Sequence, residues 1–139
     1  MASNTSPLKR LEVKYLRDGV KANYPDKHFC EICGTTSDLE NHHYNTVTLM
    51  WDKFKRDHKI VVRDSDHIME IRGDFYKEYW DKLVSKEEIA CLCVEHHRKL
   101  HSVYGKDPAL PTAEKQKRWV VKQRDKYELG SKTTNSTES

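Results

Sequence analysis

The sequence predicts an α+β fold, a small two-strand core with helices packed around it and a helical or hairpin segment inserted between the strands. Three observations predict it. Apolar residues recur at helical spacing in several separate stretches, two short strand-like runs lie far apart in the chain around Leu39 and at "IACLC", and Cys30-x-x-Cys33 sits just before the first run. A chain of 139 residues is one domain as a starting expectation. With 36% hydrophobic and 34% charged residues and a mean hydropathy of −0.92, apolar burial needs help, and a bound metal is one candidate.

Taken in order, residues 1–7 are small and polar and are expected to be flexible, as is the tail 130–139, "GSKTTNSTES", so the single domain should run over 8–129. Leu8, Leu11 and Tyr15 share a helical face, and Gly19 and Pro25 stop that helix. Gly34, just after Cys33, suits the positive φ of a tight metal-binding loop, and a short strand near Leu39 then delivers His42 and His43. In the insertion, about 46–84, Val47, Met50 or Trp51 and Phe54 mark a helix. "KIVVRDSDHIMEI" reads as a hairpin turning at Asp64-Ser65-Asp66, and Phe75, Tyr79 and Leu83 mark a further helix. "IACLC" is a strand, "VEHHRKLHSVYG" a helix ending at Gly105, and a basic helix spans about 112–129.

No apolar stretch resembles a signal peptide or reaches membrane-spanning length, so a soluble, cytoplasmic protein with no membrane partner is expected. A net charge of +3 says little about partners. Its distribution says more: "LKRLEVKYLRDGVK" and "EKQKRWVVKQRDKYEL" are both basic and could flank one nucleic-acid site, although such runs are commonly just solvated helix faces.

In a reducing compartment Cys30-x-x-Cys33 reads as half of a metal site, and Cys93-x-x-His96 has the spacing to complete it. Cys30, Cys33, Cys93 and His96 would then form a closed, structural Cys₃His zinc set. Cys91 with Cys93 is the competing pair. It is disfavoured because alternate strand positions do not match the first knuckle, which leaves Cys91 a small buried hydrophobe. His97 and His101, four apart on a helix, share a face and can grip one ion, while His96 points about 100° away.

Together "CEIC", "LENHHY" and "LCVEHHRKLH" resemble the HNH, or His-Me finger, endonuclease family in its zinc-stapled form, over roughly residues 28–105. That resemblance implies a ββα-metal, treble-clef-like core and a metal-dependent endonuclease that hydrolyses DNA to a 5′-phosphate and a 3′-hydroxyl. It implies His42, His97 and His101 as ligands of the catalytic divalent metal (Mg²⁺, Mn²⁺, Ni²⁺ or Zn²⁺) and His43 as general base. The family's middle asparagine would fall near Glu88, with Asn45 as a displaced counterpart, and the stretch between His43 and Glu88 is longer than the family needs. That insertion is expected to contact DNA or a protein partner, or to enlarge the core.

The chemistry agrees with the resemblance. Phosphodiester hydrolysis needs a base for water and a cation for developing negative charge, and a metal-bound imidazole has no lone pair left for a proton, so His42 and His43 must have different jobs. Arg98, Lys99, Lys115, Lys117, Arg118, Lys122 and Arg124 are candidate backbone-phosphate contacts, and Trp119 is a core residue or a base-stacking one. Two other readings use the same residues: a non-catalytic zinc module that binds nucleic acid or protein, and a nuclease acting on RNA.

Overall fold

A computed structural model of the chain describes residues 7–138, with side chains described over 8–129. It is α+β, with five α-helices and a two-stranded sheet: α1 (Pro7–Asp18), β1 (Leu39–His43), α2 (Val47–Asp57), α3 (Ser65–Val84), β2 (Ile89–Cys93), α4 (Val94–Tyr104) and α5 (Ala113–Glu138). Single 3₁₀ turns cover Lys21–Asn23 and Leu110–Thr112. The expected flexible start, 1–7, lies outside the described side chains. Those of the expected tail, 130–139, do too, while the backbone of α5 is helical to Glu138 rather than stopping at Gly130.

The strands pair antiparallel, with Leu39 opposite Cys93 and His43 opposite Ile89. All five residues of β2 are buried, as an apolar run without alternation requires, and α4 follows it with no intervening loop. Against this hairpin pack Cys30, Ile32, Tyr44, Leu100 and Val120, with Trp119 half-buried beside them in the core role. Gly34 takes φ +77°, and the loop closes with Gly34 N–H donating to the Cys30 carbonyl at 2.8 Å.

The insertion is helical, and the hairpin expected at Asp64-Ser65-Asp66 is not there. Asp64 is instead the N-cap of α3, its carboxylate accepting the His67 N–H at 2.9 Å, so the three polar residues start a helix rather than turn a ribbon. Val47, Met50, Trp51 and Phe54 of α2 meet Phe75, Tyr79 and Leu83 of α3 and Leu16 of α1 in a second core. Trp51 stacks on Phe54 at 5.6 Å and meets Phe75 edge-on at 5.2 Å. Glu12 of α1 is buried there too, accepting from Trp51 Nε1 at 2.6 Å and pairing with Lys55 at 2.9 Å, which fixes α1 against α2.

Phe75 is fully buried at the centre of this second core. Phe75→Ala is expected to cost about 3–5 kcal/mol by removing its contacts and leaving a cavity, read as a lowered midpoint in urea unfolding.

Candidate metal centre and catalytic cavity

Two groups of ligand-type side chains converge. The first is Cys30, Cys33, Cys93 and His96. Cys33 Sγ lies 3.9 Å from Cys93 Sγ, and His96 Nδ1 lies 3.3 Å from Cys93 Sγ and 3.9 Å from Cys30 Sγ. All four cysteines are free, and 3.9 Å is far beyond a disulfide bond of about 2.05 Å. It is close to the separation of about 3.8 Å that two thiolates take around a tetrahedral zinc with bonds of about 2.3 Å. Burial pushes the Cys33 thiol up to about 11, a cost that coordination to a cation reverses by removing the proton outright. Cys91 is buried and lies outside the group, with its Sγ facing the Lys27 carbonyl at 3.9 Å.

The second group is His42, His97 and His101. His97 Nε2 lies 3.2 Å from His42 Nδ1 and 3.0 Å from His101 Nε2. The protons on these rings follow from their outer partners. His42 Nε2 faces Gln116 Oε1 at 2.7 Å, His97 Nδ1 faces the Glu40 carboxylate at 2.7 Å, and His101 Nδ1 faces the Gly105 carbonyl at 2.7 Å. Each of these oxygens only accepts, so each outer nitrogen carries a hydrogen, and in the neutral ring the inner nitrogen presents the lone pair. The Gln116 amide cannot be turned round, since its Nε2 donates to the Tyr44 carbonyl at 3.1 Å and to Thr112 Oγ1 at 3.0 Å. His97 thus has a lone pair on each side about 3 Å from its own, an arrangement that repels unless a cation lies between them. Nitrogens bonded at about 2.1 Å and at right angles stand about 3.0 Å apart, so the donor set fits a divalent ion.

His43 is built differently. Its Nε2 donates to the Leu83 carbonyl at 2.9 Å. That carbonyl belongs to the last turn of α3, where the helix supplies no partner of its own. The bond leaves the lone pair on Nδ1. Tyr24 packs edge-on against the ring, with centroids 5.1 Å apart. Burial pushes His42 and His43 each down to about 4, so both rings are neutral near pH 7, the form a metal ligand or a base requires. Asn45 and Glu88, each considered for the middle role, bind each other at 2.8 Å, and the Tyr44 N–H donates to the Glu88 carbonyl at 3.1 Å. The pair ties together the two chain segments just beyond His43 and just before Ile89.

His42, His43, His97 and His101 line one cavity of about 340 Å³ together with Arg17 and Tyr24. None of Arg98, Lys99, Lys115, Lys117, Arg118, Lys122 and Arg124 lines it. Lys117 is held by Glu88 and Glu114, both at 3.0 Å, and Arg124 lines a separate cavity beside the cysteine loop. Sequence reasoning missed Glu40, Gln116, Leu83, Arg17 and Tyr24. Glu40 had a signal, since it lies two residues before His42 on the same strand face. The others reach the site only through tertiary packing.

Residues 1–137 match the phage T5 nicking endonuclease family. No solved structure matches the chain.

A zinc-holding first group predicts that Cys30→Ser loses bound metal and the folded state together. A structural zinc contributes about 10 kcal/mol or more at neutral pH, as much as a whole domain's net stability of about 5–15 kcal/mol. Cys91→Ser should keep the parent's zinc content, and elemental analysis with a thermal melt reads both. For the second group, Gln116→Leu should weaken divalent-metal binding about 10–100-fold by freeing the His42 tautomer, as measured by calorimetric titration.

Proposed function

The chain belongs to the phage T5 nicking endonuclease family and is a DNA-cleaving nuclease, and on that premise we propose that it is a metal-dependent HNH endonuclease with a ββα-metal core. In this reading β1, β2 and α4 form that core, Cys30, Cys33, Cys93 and His96 hold a structural zinc, and His42, His97 and His101 hold the catalytic divalent ion. The observation that supports it best is the contrast in hydrogen bonding inside one cavity. Three imidazoles turn lone pairs toward each other, and the fourth, His43, is held apart by Leu83 with its own lone pair on Nδ1.

When bound, the divalent ion would supply positive charge to the scissile phosphate and the leaving oxygen. His43 Nδ1 accepts a proton from water as the water oxygen adds to phosphorus, and its Nε2–H stays on the Leu83 carbonyl throughout. The bond from phosphorus to the 3′ oxygen breaks, that oxygen takes a proton from solvent water while His43 returns its own to solvent, and the products are a 5′-phosphate and a 3′-hydroxyl. Burial keeps His43 unprotonated before the step, and Tyr24 and Leu83 restrict its rotation. A purely binding zinc module would have no use for a buried imidazole with a fixed tautomer beside a three-histidine cluster.

The test is conversion of supercoiled plasmid to open circles with Mg²⁺, Mn²⁺ or Ni²⁺. His43→Ala should lower the rate about 10²–10⁴-fold with an unchanged melt and unchanged metal content. The nicks made by the parent should be sealed by DNA ligase, which requires a 5′-phosphate and a 3′-hydroxyl. Equal nicking by the two proteins would remove His43 from the mechanism.

A further inference from the structure

The cavity with the histidines adjoins a larger one of about 450 Å³ between α1, the start of α2 and the loop after α4. Arg17, Lys106 and Asp107 line both, so the two are adjacent. The larger one is strongly basic. Arg10, Lys14, Arg17 and Lys106 line it, and so does Lys9, which is paired with Asp52. Arg10, Lys14 and Arg17 follow one another at spacings of four and three, which puts them in a row along one face of α1.

We propose that this α1 groove is the track for the backbone of duplex DNA beside the cut, with Arg17 and Lys106 as the phosphate contacts nearest the catalytic cavity. The inference rests on the nuclease reading above and specifies where its substrate lies. From Arg10 to Arg17 the helix rises roughly 10 Å, about three base-pair steps of 3.4 Å, so a row of this length can follow a strand past successive phosphates. Arg17 and Lys106 are exposed and have no ion-pair partner among the described residues. Lys14 pairs with Asp18 at 2.7 Å on the exposed surface, a weak bond that a phosphate can replace. The groove is held in shape by Glu12, which binds α1 to Trp51 and Lys55. A further tie is Thr46 Oγ1, which donates to the Pro108 carbonyl at 2.5 Å and joins the start of α2 to the 106–108 loop.

The test measures duplex binding across a salt series with the full chain in a His43→Ala background, so that cutting does not interfere, alongside plasmid nicking by the parent. Arg17→Ala with Lys106→Ala should weaken binding about tenfold or more and lower the slope of log affinity against log salt by about two, one for each lost phosphate contact. Arg56→Ala with Lys77→Ala removes the same charge from exposed positions elsewhere on α2 and α3 and should leave that slope unchanged. Loss of slope by both pairs alike would mean that only net charge matters and would overturn the track. So would an unchanged slope for the Arg17 and Lys106 pair in a protein whose parent nicks DNA, with the nuclease reading left standing. A parent that neither binds nor nicks duplex DNA overturns the nuclease reading, and the track falls with it.

Discussion

Each imidazole of the centre has one nitrogen committed to an oxygen outside it, and each oxygen comes from a different part of the chain. His42 is fixed by α5 through Gln116, His97 by β1 through Glu40, His101 by the end of α4 through Gly105, and His43 by the end of α3 through Leu83. A buried ring nitrogen left without a partner costs about 1–3 kcal/mol, which applies to the buried His42 bond and in part to that of His43, so these bonds do two things. They favour the packing that brings the four elements together, and they decide which nitrogen of each ring is available for chemistry. The centre is thus a product of the whole fold, although all four of its histidines lie within two short stretches of sequence.

A two-stranded ribbon is marginal by itself in water, and here it must carry ligands at both ends. Cys93 closes one end opposite Leu39, and His42 and His43 occupy the other opposite Ala90 and Ile89. The ribbon is supported at the first end by the cysteine loop and at the second by the Asn45–Glu88 bond and the last turn of α3. That explains the length of the insertion. Its helices build their own core with α1, and the same packing that buries Phe75 and Leu83 carries the Leu83 carbonyl to His43 and holds α1 beside the cavity.

The sequence made some of this legible and hid the rest for physical reasons. The spacing of Val47, Met50, Trp51 and Phe54 and of Phe75, Tyr79 and Leu83 specifies helices because the buried face repeats every turn, and all of these residues are buried. The division of His96 from His97 and His101 follows from 100° per residue, and the structure places them in separate groups. Asp64-Ser65-Asp66 misled because the same polar residues serve turns and helix N-caps, and only the Asp64 bond to His67 distinguishes the two. Gln116 and Leu83 could not be read at all. A carbonyl has no residue signature, and a buried glutamine 74 positions from His42 acquires its role only when α5 packs on the hairpin.

Helix α4 makes the two ligand groups depend on each other. His96 belongs to the cysteine group and His97 to the histidine group, so one backbone segment that starts directly from Cys93 sets the position of both. A helix of 11 residues is too short to be stable alone, and Leu100 is its only fully buried side chain. Besides Leu100 in the core, it is tied at its start by Cys93 and His96 and in its middle by His97, which meets Glu40 of β1 at 2.7 Å. In the proposed reading, an ion held by the first group would anchor the start and so restrict where His97 and His101 sit, and the second group would not have to fold the helix around its own ion. Three histidines would then leave coordination positions on their ion for water and substrate, while the ordering of α4 would be done from the cysteine end.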